Sequence, residues 1–369
     1  MNAMHIRVQR DQLIQALNKV GGVVERRQTL PILGNIHIHA DLDRITLTGT
    51  DREVEIRTHL ESVVVEAGDV TVPARKFIDI TRSLPEDTEI SLKVQNQRAF
   101  ITAGRSRFNL STLPADDYPL MDLEGDGLKI EIEQGTLKEL LDKTAFAMAN
   151  QDVRYYLNGL LFKVEAQRLS AVATDGHRLA RLERSIDLKI DEPLQVIIPR
   201  KTVTELVRLL DTAAPPLELD LSSRTLRAII SDTVLTSKLV DGRYPEYERV
   251  IPLMADKVAI LDRDLLRQSL MRASILSNEK FKGIRLNFAL NELMIQAHNP
   301  EQEEAEEILA IEYADEPLTI GFNVAYLLDV LSVVDDSRVE IRLGDSNSSA
   351  LMRGAGQEDQ TYVVMPMLL

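Results

Sequence analysis

Six segments of the 369-residue sequence repeat one hydrophobic pattern at nearly even spacing. Each carries apolar or small side chains at positions i, i+3, i+4 and i+7, the pattern of a helix that buries one face. The segments begin 64, 60, 66, 63 and 58 residues apart. Six similar helices predict an architecture built from repeats. The residues of the pattern are Leu13, Ala16, Leu17, Val20, Phe77, Ile80, Thr81, Leu84, Leu137, Leu140, Leu141, Thr144, Val203, Leu206, Val207, Leu210, Leu266, Ser269, Leu270, Ala273, Val324, Leu327, Leu328 and Leu331.

Alternating apolar and polar runs lie between these helices, for example Ile45–Thr48, Ile90–Val94 and Val339–Leu343. Gly, Asp and Pro bound such runs, which is typical of half-buried strands. Each repeating unit is therefore one helix with several strands.

A longer repeat joins the units in pairs. Asp51 has counterparts at two further steps of 124 residues, at Asp175 and Asn299. The Tyr-Pro pair at 118–119 recurs 126 residues later at 244–245, and Met-Pro stands in the third place. We therefore predict an α+β fold of three similar domains, each with two helices packed on antiparallel sheets. The predicted domains are 1–125, 126–254 and 255–369.

Composition excludes several classes of protein. The chain has no cysteine, so disulfides, thiolate metal sites and cysteine nucleophiles are excluded. The sequence shows no export signal and no run of 18 apolar residues. We expect a cytoplasmic protein with no membrane partner.

The net charge of −15 has the wrong sign for an ordinary nucleic-acid binder. However, the helical windows 10–20, 74–83, 135–149, 199–210, 263–273 and 321–332 together carry +6, so the remaining residues carry −21. A single helix of this kind could simply face solvent. The segregation over all six favours one basic surface built from helices.

The width of a helix indicates what such a surface could surround. Twelve helices about 10 Å across form a circle of about 120 Å with an opening of about 28 Å, whereas six leave only about 9 Å. Duplex DNA is on the order of 20 Å wide. Two chains joined head to tail could enclose it, and one chain could not.

Several longer motifs carry a family resemblance that spans essentially the whole chain. They are LPILGN at 30–35, VPARKF at 72–77, QDVRYYLNG at 151–159, ATDGHRLA at 173–180, SNEKF at 277–281, NPEQEEAEE at 299–307 and YVVMPM at 362–367. Together they resemble the β sliding clamp of bacterial DNA polymerase III. Met1-Asn2-Ala3 looks like a short extension before the usual start of the family.

The resemblance implies a non-catalytic processivity factor without cofactor or metal. It implies a head-to-tail homodimeric ring, with helices lining the hole and sheets outside. The implied partners are encircled double-stranded DNA of any sequence, the DNA polymerase III alpha subunit, the clamp loader, other DNA polymerases, ligase and mismatch-repair proteins. The protein partners are expected to bind by short peptide motifs.

The resemblance also implies where two chains meet. A basic, strand-like stretch at 105–110 and an acidic run at 301–307 would supply opposite charges and an edge strand, and a pair of aliphatic residues would add apolar contact. Without the resemblance, a solvated acidic loop is the simpler interpretation of 301–307. The candidate interface residues are Lys76, Arg105, Arg107, Phe108, Leu110, Ile275, Leu276, Glu301, Glu303, Glu304, Glu306 and Glu307.

A partner-peptide pocket is expected between the second and third domains, with aliphatic walls and adaptable Met residues. Asn347 and Leu368 depart from the apolar and basic residues expected at those places, which puts the rim in doubt. Residues 363–367 taken alone also fit a buried terminal strand, and both interpretations can hold. The candidates are Leu157, Thr174, Gly176, His177, Arg178, Leu179, Pro245, Arg249, Val250, Asn323, Tyr326, Ser349, Val363, Val364, Met365, Pro366 and Met367.

DNA contacts are expected to be weak and independent of sequence, since a ring must slide. Basic groups would approach phosphates and tyrosines could stack on unpaired bases. Any of them could instead serve packing, and Tyr156 beside Leu157 fits a core residue. The candidates are Arg27, Gln151, Arg154, Tyr155, Tyr156, Arg200 and Lys201.

Two other functions remain as alternatives. Asp175 and His177 could form an acid–base pair with Ser185 as a nucleophile. However, the sequence has no glycine-rich phosphate loop, no His-Glu-x-x-His and no Gly-x-Ser-x-Gly. A repeat-built adaptor that binds peptides without DNA is the second alternative.

Overall fold

A computed structural model describes residues 3–25, 30–41, 44–121, 127–190 and 192–368. The chain forms two compact units. One comprises Met1–Lys138 and Thr204–Leu239, and the other comprises Glu139–Val203 and Val240–Leu369. Among the described residues, no helix is both long and apolar enough to cross a membrane.

Helices form at all six predicted segments, but the third ends at Asp142 instead of continuing to residue 149, and a separate short turn follows at Ala145–Ala147. They are α1 Arg10–Gly21, α2 Ala74–Ser83, α3 Gln134–Asp142, α4 Arg200–Leu209, α5 Arg263–Ser274 and α6 Val324–Val333.

The strands are also those of an antiparallel α+β protein. They are β1 Met4–Gln9, β2 Asn35–Asp41, β3 Arg44–Thr50, β4 Val54–Glu61, β5 Val63–Glu66, β6 Gly68–Pro73, β7 Glu89–Gln95, β8 Arg98–Ala103, β9 Ser106–Ser111, β10 Leu128–Ile132, β11 Gly159–Glu165, β12 Arg168–Thr174, β13 Arg178–Ser185, β14 Leu194–Pro199, β15 Leu217–Leu221, β16 Thr225–Ile230, β17 Thr233–Lys238, β18 Lys257–Asp262, β19 Gly283–Ala289, β20 Glu292–His298, β21 Glu304–Ala310, β22 Leu318–Asn323, β23 Arg338–Leu343, β24 Ala350–Gly354 and β25 Gln360–Val364.

The first unit contains two antiparallel sheets. One has five strands in the order β5-β1-β7-β8-β9, and the other has eight in the order β10-β15-β16-β17-β4-β3-β2-β6. Helices α1 and α2 lie side by side, and α1 packs on β3 and β4. Leu13, Leu17, Val20 and Phe77 are fully buried, so the predicted stripes form the core of this unit.

The second unit repeats this plan. Its sheets are β14-β11-β12-β13-β25-β24-β23-β18 and β21-β20-β19-β22, again antiparallel. Helices α5 and α6 pack together, and Leu266, Leu270, Leu327 and Leu331 are buried.

Both eight-stranded sheets take strands from two of the three similar domains. In the first unit β4 pairs with β17, with Ile56 opposite Leu235. In the second unit β13 pairs with β25, with Leu179 opposite Val363. The strands of the central domain are therefore shared between two continuous sheets.

The longer sequence repeat corresponds to a repeated turn. Asp51, Asp175 and Asn299 each follow a strand, β3, β12 and β20, respectively. The Asp51 carboxylate accepts hydrogen bonds from the amides of residues 53 and 54, and the Asp175 carboxylate does the same for 177 and 178. The Asn299 side-chain oxygen accepts from the amide of Glu303 at 2.9 Å. A short acceptor side chain at this position closes the turn after the strand.

The repeated tyrosines also occupy equivalent places. The Tyr118 hydroxyl donates to the Thr48 carbonyl oxygen on β3 at 3.1 Å, and the Tyr244 hydroxyl accepts from the Thr174 amide on β12 at 3.0 Å. Burial raises the pKa of both phenols, so both stay neutral. Each tyrosine thereby ties the segment that ends its domain to the middle of that domain.

Candidate functional site

A cavity of about 160 Å³ opens in the second unit. Most of its lining is apolar, and its polar side chains lie in loops or at the ends of β12 and β13. The lining residues are Arg154, Leu157, Thr174, Gly176, Arg178, Leu179, Pro245, Glu246, Tyr247, Val250, Val363 and Met365. Nine of these are among the residues predicted for the peptide pocket.

The apolar base of the cavity is part of the hydrophobic core. Leu179 on β13 faces Val363 on β25 across paired strands, and Leu157 and Tyr247 belong to the same buried cluster. All four side chains are buried. Because the base is held by strand pairing and core packing, the cavity is largely preformed, as small binding sites usually are.

One wall of the cavity is fixed by Arg178. Its guanidinium donates to Asp175 at 3.1 Å and to the Phe146 carbonyl oxygen at 2.9 Å, and it also pairs with Asp329. It lies 4.6 Å from the centre of the Tyr326 ring. Five donors in a rigid fork suit arginine to this position, where several acceptors and a ring converge.

Arg154 is a cavity residue that sequence reasoning assigned to DNA. Its guanidinium donates to both Asp152 oxygens, at 3.0 and 2.8 Å, and to the Asp175 carbonyl oxygen at 3.2 Å. The hydrogen bonds that the Arg154 side chain and amide donate to Asp152 lower the pKa of this carboxyl to about 2. The arginine is thus held against the turn at Asp175 and Gly176. The Asp-x-Arg spacing was a usable signal for this local pair.

Glu246 and Tyr247 were also missed. They follow Pro245 and begin a short helical turn, 247–250. Glu246 pairs with Arg249, and burial raises the pKa of Tyr247. The resemblance had indicated Pro245, Arg249 and Val250 of this segment, but it did not indicate that Glu246 and Tyr247 also line the cavity.

The other predicted pocket residues lie outside the cavity lining. His177 is exposed and stacks on Tyr326 with 6.3 Å between ring centres. Asn323 caps the start of α6 by accepting from the Ala325 amide at 2.9 Å. Val364 is fully buried, so its side chain serves the core.

The residues after β25 are fixed through their backbone. The Met365 amide donates to the His177 carbonyl oxygen at 2.9 Å, and the Met367 amide donates to Gly321 at 2.8 Å. The Ser349 hydroxyl lies 2.9 Å from the Met365 sulfur. Pro366, between the two tied methionines, is half-buried. Residues 363–367 therefore begin as a buried strand and end as partly exposed methionines and a proline, so the two interpretations of this segment are both consistent with the structure.

Asn347 and Leu368, which differ from the apolar and basic residues expected at those places, are both exposed. Leu368 is 94% exposed. Asn347 lies in a turn in which its amide donates to the Asp345 carboxylate at 2.8 Å. Neither residue lines the cavity.

The predicted DNA-contacting residues differ in how they are held. Gln151 is exposed with a positive φ of 56°, and Tyr155 is 57% exposed. Tyr156 is partly buried and packs against the cavity cluster, in line with the core interpretation. Arg200 donates to the Met148 carbonyl oxygen at 3.0 Å. Lys201 is half-buried at the start of α4, and Arg27 lies outside the described residues.

The predicted interface segments lie at sheet edges. Strand β9 ends the five-stranded sheet and β21 ends the four-stranded one. In the part of the chain that the structure describes, neither has a second strand partner. Such edges present unpaired backbone groups to another strand.

The side chains at these two edges carry opposite charge. Arg105 and Arg107 are exposed at the β9 edge, while Phe108 is partly buried and Leu110 is buried. Lys76 is exposed on α2. At the other edge Glu301, Glu303, Glu304 and Glu306 are exposed, and Ile275 is 76% exposed with Leu276 partly buried beside it. Glu307 pairs with Arg272 at 2.6 Å, and this arginine lowers the pKa of Glu307.

The alternative catalytic residues do not form a reactive group. The Asp175 carboxylate is occupied by two backbone amides and by Arg178. Ser185 lies at the far end of β13 from His177. Among the described residues, no cluster of three His, Asp or Glu side chains could hold a metal ion.

Comparison with known families gives consecutive matches along the chain. Models of the DNA polymerase III beta subunit match residues 4–122 with the N-terminal domain, 131–246 with the central domain and 248–368 with the C-terminal domain. The chain belongs to the DNA polymerase III beta subunit family. The resemblance seen in the motifs is thereby confirmed, as are three similar domains in the α+β clamp fold.

Relatives of this family match over full length. The beta sliding clamp of Pseudomonas putida is 51% identical over 369 residues, covering 99% of this chain and 100% of the relative. That of Escherichia coli K12 is 47% identical over 367 residues, with the same coverage.

Solved structures of the family agree with the fold. The DNA polymerase III beta subunit of Pseudomonas aeruginosa matches with a TM-score of 0.95 and 49% identity, covering 99% of this chain and 100% of that one. A clamp of the same species bound to griselimycin matches with a TM-score of 0.95 and 50% identity over the whole of both chains.

Proposed function

We infer that the chain is a DNA sliding clamp, the non-catalytic processivity factor of DNA polymerase III. The observation that carries this function is the full-length match to all three beta-subunit domains. The clamp encircles DNA as a homodimeric ring and binds the polymerase and partner proteins. No reactive group is needed for this role, because processivity comes from topological confinement.

We propose the sequence boundaries 1–125, 126–254 and 255–369 for the three domains. The family matches begin and end close to these limits. The two unpaired edge strands support the proposed junction, in which β9 of one chain pairs with β21 of its partner. Arginine and lysine at one edge face glutamates at the other, and Ile275 and Leu276 add apolar contact.

The cavity is the proposed docking site for short peptides of partner proteins. Its aliphatic base would take apolar anchors, while the turn fixed by Asp175 and Arg178 would set the peptide's register. The clamp loader, the alpha subunit, other polymerases, ligase and mismatch-repair proteins would compete for it.

The proposed DNA contacts are weak and directed at phosphate. Gln151, Tyr155, Arg200 and Lys201 are retained as candidates, with Arg27 from the sequence. Arg154 is assigned to the pocket instead, since its guanidinium is bound by Asp152 and the Asp175 carbonyl oxygen. A cytoplasmic location is proposed because the DNA that the ring encircles, the bacterial chromosome, lies in the cytoplasm.

Topological retention on DNA tests this function. The chain would be loaded onto nicked circular DNA with a clamp loader and ATP, purified by gel filtration, and the DNA then cut once. Release that depends on cutting is the expected result. Retention on linear DNA would indicate ordinary binding, and failure to load with intact peptide binding would favour the adaptor alternative.

A further inference from the structure

Two neighbouring apolar residues between the second and third domains are almost fully exposed. Leu253 is 91% and Met254 is 87% exposed, in a chain whose large apolar side chains are mostly buried. We call this pair the linker patch. A single exposed leucine is ordinary on a protein surface. Two adjacent exposed apolar side chains near a binding cavity are a candidate contact site for a binding partner.

The backbone under the linker patch is held in place. The Ile251 amide donates to Glu248 at 3.3 Å and the Asp256 amide donates to Met254 at 3.1 Å. Ile251 packs on the apolar cluster of the cavity, and Ala255 is buried. The patch is thus presented by an ordered turn that is fixed on both sides.

The linker patch lies close to the cavity along the chain. Val250 lines the cavity and is 37% exposed, and Leu253 follows three residues later, within about 11 Å along the chain. A side chain placed at Gly344 would lie 3.6 Å from the Met254 carbonyl oxygen and 3.5 Å from Ser348. That loop leads to Ser349, whose hydroxyl contacts the cavity residue Met365.

The linker patch is a short apolar stretch between exposed charged residues, since Arg249 is 80% and Asp256 is 83% exposed. Residues 250–255 read Val-Ile-Pro-Leu-Met-Ala, and residues 346–349 read Ser-Asn-Ser-Ser. An apolar side chain would gain contact with leucine and with a methionine that can adapt its shape.

We propose that the linker patch is an accessory contact for partner peptides, and that it takes one aliphatic or aromatic side chain flanking the cavity-bound anchor. This inference rests on the proposed peptide-docking function. Since Leu253 lies no more than about 11 Å from Val250, that side chain is expected within about four residues of the anchor. Leu253 and Met254 therefore help to determine which partners bind tightly.

The test uses peptides built on the pocket-binding segment of the alpha subunit, with every flanking residue changed to serine. A leucine is then placed at each flanking position in turn. Fluorescence anisotropy measures binding to the full-length dimer and to a Leu253→Ser, Met254→Ser double variant. At one or two positions, leucine should tighten binding to the unmodified protein at least about tenfold.

In the double variant this gain in affinity should fall below about twofold. The parent peptide, which keeps its anchor residues and has serine at every flanking position, should bind both proteins equally. Leu290→Ser is the matched control, since Leu290 is 70% exposed in the turn between β19 and β20. A gain that persists in the double variant, or no gain at any position, overturns the proposal. If this parent peptide binds neither protein, the assignment of the cavity as the peptide-docking site has failed.

Self-association would point to another occupant. If concentrated dimers form larger particles in sedimentation and the double variant does not, the linker patch binds a second copy of the chain. That outcome would also overturn the proposal.

Discussion

Replacement of Ile275 and Leu276 by alanine should convert the dimer to monomers. Each change removes three carbon atoms, worth about 0.8 kcal/mol each when fully buried. Ile275 is 76% exposed in the single chain, so its burial at a junction contributes roughly 2 kcal/mol, and the partly buried Leu276 contributes less than about 1.

A head-to-tail ring of two chains has two identical junctions, so the loss counts twice. A total of roughly 5 kcal/mol corresponds to an increase of about three to four orders of magnitude in the dissociation constant. Sedimentation velocity over a dilution series measures this constant directly. Leu290→Ala is the control, because it removes the same atoms from a residue that is 70% exposed elsewhere. A double variant whose dissociation constant stays within about tenfold of the unmodified protein would refute this assignment of the junction.

Three other predictions concern the pocket, DNA and pH. Arg178→Lys should weaken peptide binding about tenfold, because lysine cannot donate to Asp175 and to the Phe146 carbonyl oxygen in the same geometry; unchanged anisotropy titrations would contradict this. Lys201→Ala should reduce the slope of log DNA affinity against log salt by about 0.9, and an unchanged slope would remove Lys201 from the DNA contacts. Burial lowers the pKa of His37 below 6.5, so its contribution to stability is full above that pH and falls as the pH drops. The melting temperature of His37→Gln should therefore fall less than that of the unmodified protein when the pH is lowered from about 7 to about 5. An equal fall in both proteins would show that another group controls the effect.

Local periodicity made the helices and the repeat predictable. A helix such as α1 buries Leu13, Leu17 and Val20 whatever it packs against, so the stripe is visible in the sequence. The turns after β3 and β12 were equally visible, because Asp51 and Asp175 close them through their own side chains.

The pairing of distant strands was not predictable from the sequence pattern. Alternation in β13 indicates which side chains are buried, but it does not identify β25, about 180 residues later, as its neighbour. Long-range strand pairing depends on which other edges are available in the folded chain. The same reason accounts for Tyr247, whose position in the cavity is set by strands distant in sequence.

The role of Arg154 is a further point that the sequence pattern leaves open. Arg154 and Arg178 have the same chemistry, and sequence reasoning separated them into DNA and peptide groups. The structure brings both to the turn at Asp175, where carboxylate and carbonyl oxygens accept from them. A guanidinium binds protein acceptors as readily as phosphate, so residue type alone could not decide between the two.

The sharing of the central domain's strands has a mechanical consequence. Within each unit, tension pulling one domain from the next is opposed by a row of backbone hydrogen bonds, from Val54 to Thr58 on β4 and from Arg178 to Leu182 on β13. Separating the domains there would require all the hydrogen bonds between the paired strands to break together. Contact between separate chains lacks peptide continuity and can be undone and remade. A loading machine that opens the ring should therefore separate it between subunits, where no peptide bond or shared sheet has to break.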